Sequence, residues 1–163
     1  MALNREERAA LIEQYEAGPA VLRAAFDRVP AEARQWRPAP GEWSAHEIVV
    51  HCADSETNAH GRIRYLVAEP EPLIVGYDQA RWAAVFAYHD RPLAPAFATV
   101  AAVRANTAAL LRALPEEAWR KAGRHTESGT FSAEDWLRVY GVHLHEHADQ
   151  IAANLVAWDR REG

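Results

Sequence analysis

Two histidines four residues apart, His143 and His147, stand in a strongly helical stretch near the C-terminus of this 163-residue chain. On an α-helix that spacing puts both imidazoles on one face, an arrangement suited to a shared divalent metal. At 3.6 residues per turn the same face carries Trp136, Tyr140, Ile151, Leu155 and Trp158. The pair therefore belongs to an inward stripe, where an imidazole needs a partner. Two readings satisfy it: a metal ion, or hydrogen bonds inside a core.

A catalytic zinc-type site takes three protein ligands and keeps one position open. His51 is the best third ligand, because Ile48, Cys52, Ser55 and Ala59 surround it at helical spacing on a partly apolar face. Bundle sites are built in this way, from side chains on facing helices. Three imidazoles without a thiolate suit zinc, nickel, copper or iron. His145 completes a His-x-His-x-His pattern that would share one face on a strand. The segment Ser132 to Trp158 lacks strand alternation, however, and on a helix His145 faces solvent, nearly opposite His143. His46, His60, His89 and His125 lie in polar or loop surroundings and are weaker candidates.

Glu47, Asp54 and Ser55 fall within a turn of His51 and are candidates to orient a ring. Glu47 has a simpler role in a helix cap, and Asp54 and Ser55 on a solvated face. Asp149 and Gln150 follow His147 too closely to share its face. Cys52, among apolar neighbours, reads as packing rather than as a nucleophile. Trp43, Trp136 and Tyr140 either line a pocket or, more simply, fill the core. No Ser-His-Asp arrangement, phosphate loop or dinucleotide fingerprint is legible. No general base is identifiable.

The elements that must position these residues read as helices. A first helix is predicted from about Asn4 to Arg28, with Ile12, Tyr15, Leu22, Phe26 and Val29 inward and a kink or interruption at Pro19. Pro38, Pro40 and Gly41 mark a loop, and Ser44 with Glu47 forms a capping box that opens a second helix, Ala45 to Ala68. A long connection, Glu69 to Arg91, holds a short helix near Asp78 to Ala87. A third long helix fits Pro92 to Ala113, with Val100, Val103, Thr107, Leu110 and Leu114 inward. Pro115 to Phe131 reads as a polar loop, and Ser132 caps the last long helix. Strand signals are weak throughout. The expected fold is all-α: a four-helix bundle in a single domain, 1–163.

The chain is 49% hydrophobic and 25% charged, the balance of a globular domain large enough for one core. Its formal net charge is -5, with the two signs interspersed. That argues against a nucleic-acid surface and a basic membrane-binding helix. The N-terminal MALNREER has no apolar signal core, and no run of about 18 apolar residues predicts a spanning helix. Cys52 is the sole cysteine, so no intramolecular disulfide forms, which fits a cytoplasmic setting.

The segment WRPAPGEWSAHEIVVHCADSE, Trp36 to Glu56, resembles the loop and second helix of the DinB-like, or YfiT-like, superfamily of metal-dependent enzymes. The segment WLRVYGVHLHEHADQI, Trp136 to Ile151, resembles the fourth helix of that family, with its His-x-x-x-His. The resemblance implies an up-down-down-up bundle with a long crossover between the second and third helices. It also implies a divalent metal, commonly zinc or nickel, on three histidines, carried over here to His51, His143 and His147. Implied activities are metal-dependent hydrolysis, or S-transfer or isomerisation with a low-molecular-weight thiol such as bacillithiol or mycothiol. A small-molecule substrate and a homodimer are implied as partners. Glu146 stands where relatives often carry a further histidine, which weakens any close match in substrate but not in metal. A metal-binding or sensory module without turnover, and a purely structural dimeric bundle, are the alternatives.

Overall fold

Asn4 starts the first helix by accepting from the backbone N–H of Glu7, while the Glu7 carboxylate accepts from the N–H of Asn4. Helix α1 then runs Arg5–Asp27. The same reciprocal cap, Ser44 with Glu47, opens α2 (Ala45–Ala68). A third, Ser132 with Asp135, opens α5 (Ala133–Arg160). Each satisfies two amides that a helix start leaves without partners. Helix α4 (Leu93–Ala113) begins after Pro92, and a short α3 (Gln79–Val85) lies in the connection before it. The computed structural model describes residues 2–161, so Met1, Glu162 and Gly163 of the expected domain lie outside the described residues.

Helices α1, α2, α4 and α5 form the bundle, and contacts along them and at their starts fix its directions. Leu3 meets Glu134 and Gln14 meets His145, so α1 and α5 run parallel. Trp43 meets Asn154 and Ala59 meets Trp136, so α2 opposes α5. Arg23 covers Phe97 and Glu16 pairs with Arg112, so α4 opposes α1. The topology is up-down-down-up, as expected. Parallel neighbours α2 and α4 require a connection as long as the helix itself, about 36 Å for the 24 residues of α2. The stretch 69–92 provides it. Tyr88 fastens this crossover to α2 by donating its hydroxyl proton to Asp54 at 2.5 Å.

Three expectations are corrected. Residues 115–131 are not a plain loop: Glu116–Arg120 is a 3-10 turn, followed by strands β2 (Ala122–His125) and β3 (Gly129–Ser132) as a hairpin. Strand β1 (Leu73–Ile74), from the crossover, adds parallel to β2. The strands are too short and polar to show alternation, although Gly129, at φ +81°, supplies the left-handed turn residue. The inward face of α4 is turned by one residue: Arg104, Ala108 and Leu111 are fully buried, while Val103 is half-buried and Leu110 and Leu114 pack half-buried against the core. Helix α4 is also long and apolar enough to cross a membrane by length and mean hydropathy, 1.2. It is a bundle member, and its Arg104 is 0% exposed.

The third correction concerns the interruption expected at Pro19: α1 runs on through that residue. Proline removes the amide that would bond the carbonyl four residues back. That carbonyl belongs to Tyr15, and Arg104 Nη1 donates to it at 2.6 Å. A side chain from α4 thus replaces the lost helical bond. Gly18 gives it room, because a Cβ there would lie 2.8 Å from the same nitrogen.

The apolar core divides into two clusters along the bundle. One gathers Leu22, Phe26, Ile48, Val49, Val100 and Ile151; the other gathers Tyr15, Ile63, Leu66, Leu111, Trp136 and Leu137. Between them, in each helix, lie the residues that break the apolar pattern: Gly18 and Pro19, Glu56, Arg104 and His143.

Beside the second helix cap, Arg37 Nε donates to Glu47 at 2.8 Å. Burial alone would raise the Glu47 carboxyl. The Arg37 bond and the Ser44 amide and hydroxyl outweigh it and hold the group below its ordinary range. The contribution is complete above the unfolded value, near pH 4.3, and disappears as pH falls below it. Glu47→Gln is expected to flatten the acid limb of the stability-against-pH curve below about pH 5, read by urea denaturation across pH 3 to 7. An unchanged limb would show that Glu47 ionises equally in both states.

Candidate metal centre

The capping box at Ser44 sets the phase of α2, and about two turns later His51 points into the bundle, 1% exposed. From α5, His143 and His147 meet it. Ring centroids lie 5.8 Å apart for His51 and His143, 4.9 Å for His51 and His147, and 4.6 Å for the α5 pair. One ring nitrogen from each lies within 4.8 Å of the others, a group able to hold a metal ion. The three histidines selected on periodicity are thus brought together. Trp43 lies against the His51 ring at 4.6 Å and walls the cluster, while Trp136 is core, donating its N–H to the Ala59 carbonyl.

Hydrogen bonds dictate which nitrogens face the shared space. His143 Nδ1 lies 3.1 Å from Glu56 Oε1, and His147 Nδ1 lies 2.9 Å from Gln150 Oε1. Both partners are acceptors, so each Nδ1 carries the proton and each Nε2 keeps a lone pair. Those two Nε2 atoms face each other at 3.2 Å. Two nitrogens bound to one tetrahedral zinc at about 2.05 Å stand about 3.3 Å apart. His51 is buried, and neither of its ring nitrogens has a hydrogen-bond partner. Buried polar atoms are rarely left so. The donor set fits a divalent metal.

Burial, with the neighbouring His147 and His143, pushes the His51 ring down to about 2. Burial and His143 push His147 down to about 4. Both His51 and His147 are therefore neutral at physiological pH, the form a metal requires. Burial also works against the Glu56 carboxylate, but the His143 bond and the Arg104 guanidinium hold it below its ordinary range.

The ring-orienting residues are not those the sequence suggested. Asp54 binds Tyr88, and Glu47 binds Arg37 and its own cap. Ser55 is buried beside Tyr140 and Tyr77. Glu56 takes the role on α2, its signal being an acid within the apolar stripe Cys52, Ala59 and Ile63. Gln150 takes it on α5, contrary to its expected exclusion, because a residue three positions on reaches back along the helix. His145 is partly buried rather than solvent-facing, with Nε2 2.9 Å from the Gln14 carbonyl. His46, His60 and His125 bond to Arg91, Thr107 and the turn amides of Glu127 and Ser128, away from the cluster. Burial pushes the Cys52 thiol well up, as packing requires.

The family model described as the DinB superfamily matches residues 14–151. The chain belongs to the DinB superfamily. Among relatives, a provisionally named metal-dependent hydrolase, OB0782 of Oceanobacillus iheyensis, is 28% identical over 69% of this chain and 65% of its own length. YfiT of Bacillus subtilis, with the same provisional name, is 24% identical over 99% of this chain and 89% of its own. The solved structure of YfiT shares the fold of this DinB-superfamily chain, with a TM-score of 0.86, 24% identity and coverage of 99% and 91% of the two chains. It is described as a probable metal-dependent hydrolase with an unusual four-helix bundle topology.

Proposed function

We propose that His51, His143 and His147 hold one divalent metal, zinc or nickel, and that the chain is a metal-dependent hydrolase of a small-molecule substrate. The carrying observation is the facing pair of Nε2 lone pairs, 3.2 Å apart, beside a buried His51 with no partner. Family membership and the provisional names of relatives support the same reading. When bound, the metal supplies Lewis acidity to an attacking water or a substrate carbonyl.

The chain itself supplies orientation and donors. Glu56 and Gln150 hold two rings in one tautomer. Trp43 shields His51. Tyr140 approaches His143 with ring centroids 5.7 Å apart. Burial raises its phenol, and its oxygen accepts from Arg62 at 2.9 Å, with the Ser55 hydroxyl as its other neighbour.

The test is turnover by zinc- and nickel-loaded protein against a panel of esters, amides and phosphoesters. A second panel pairs low-molecular-weight thiols with electrophiles. Chelated protein and His51→Ala serve as controls. Metal-dependent hydrolysis lost in both controls is the expected result. Turnover confined to the thiol panel would replace hydrolysis by S-transfer, and none in either panel would leave a binding module.

A further inference from the structure

We propose that Glu56 is the positioning residue of the histidine cluster, and that a notch in α1 holds it in place through Arg104. The proposal rests on the metal reading above, but it concerns residues that reach no ligand position themselves.

Glu56 Oε1 receives two donors, His143 Nδ1 at 3.1 Å and Arg104 Nη2 at 2.6 Å. Both charged residues are 0% exposed. Arg104 also donates to the Tyr140 carbonyl at 3.0 Å, one turn before His143 on the same helix. The guanidinium therefore ties the carboxylate and the backbone that carries His143 into one unit. A ligand ring whose second nitrogen donates to a carboxylate has its tautomer and its plane fixed.

The anchor of this unit is the defect in α1. With an ordinary residue at 19, its amide would compete for the Tyr15 carbonyl that Arg104 now takes at 2.6 Å. With a Cβ at 18, the guanidinium would meet it at 2.8 Å. Gly18 and Pro19 thus give Arg104 a seat and an acceptor. The guanidinium carbon also lies 3.9 Å from the Tyr15 ring centroid, closing the seat. Helix α1 contributes no ligand, yet it sets the level at which Arg104, Glu56 and His143 meet between the two apolar clusters. A merely structural ion pair would need Arg104 and Glu56 alone. It would not require the proton of His143 to sit on Nδ1.

The experiment reads that proton directly. Metal-free protein labelled with 15N is examined at neutral pH by two-bond 1H–15N correlation of the imidazoles, and zinc affinity is measured by competition with a chromophoric chelator. Wild-type His143 is expected as the Nδ1–H tautomer. Glu56→Asp keeps a carboxylate for Arg104 but withdraws it by one methylene from the ring. In that variant His143 should move toward the Nε2–H form, with zinc affinity reduced about 10–100-fold. A zinc-binding wild type with Nε2–H His143 overturns the proposal alone, as does a folded Glu56→Asp with unchanged tautomer and affinity. Should that variant not fold, the wild-type tautomer decides. A wild type that takes up no zinc overturns the metal reading and the proposal with it.

Discussion

Replacing His143 by alanine is expected to abolish stoichiometric metal binding while leaving a folded bundle. Wild-type protein supplied with zinc or nickel should retain about one equivalent, consistent with a single three-histidine site. The variant should retain far less, with affinity down by more than the roughly 100-fold that loss of a ring-orienting partner costs. Stability should change little in the metal-free state, because the His143 side chain is 14% exposed at the cluster rim and Glu56 keeps Arg104. Metal analysis after gel filtration and the chelator competition read both quantities. His51→Ala is the sterner test, since it removes a fully buried ring with no hydrogen-bond partner. A metal-free wild type prepared without chelator would sink the assignment.

The second large effect is on stability. Arg104→Ala should lower the unfolding free energy by about 3–5 kcal/mol, the cost of breaking a buried ion pair from one side. The change strands the Glu56 carboxylate and the Tyr15 carbonyl that Pro19 left without its helical amide. Arg104→Lys should recover only part of this, because one ammonium cannot span three acceptors as a planar fork does. The control is Arg23→Ala. Its partner Asp27 is 2.9 Å away, but their side chains are 58% and 52% exposed. Water screens such a pair, and its loss should cost under about 1 kcal/mol. Urea unfolding of the metal-free proteins separates the two. Equal small losses would mean that water reaches Glu56 once the guanidinium is gone.

These predictions show what the sequence made legible. The four long helices and the inward placement of His51, His143 and His147 follow from apolar residues recurring at helical spacing, and from caps whose residue types state their own chemistry. Glu56 and Arg104 were not legible by that route, because charge ordinarily marks the wet face. Each sits at a helical position that apolar neighbours assign to the interior: Glu56 between Cys52 and Ile63, Arg104 between Val100 and Leu111. Two opposite charges in two apolar stripes could have been read as partners, but spacing along one helix says nothing of level across the bundle. Pro19 misled for the same reason. Its missing hydrogen bond was counted within α1, whereas the replacement donor came from α4. The β2–β3 hairpin escaped because its eight strand residues carry no clear alternation.

The pairing of the helices bears on how the chain reaches this state. The antiparallel partners are α1 with α4 and α2 with α5, and the parallel ones are α1 with α5 and α2 with α4. Long helices that follow one another directly, α1 then α2 and α4 then α5, are not principal neighbours. No local helical hairpin is therefore available as a seed. Every major interface closes a long loop before it returns any burial, an entropic cost that slows the search. A four-helix bundle of this connectivity should refold more slowly than an up-down-up-down bundle of equal length, with α1 and α5 meeting only after most of the chain has been placed.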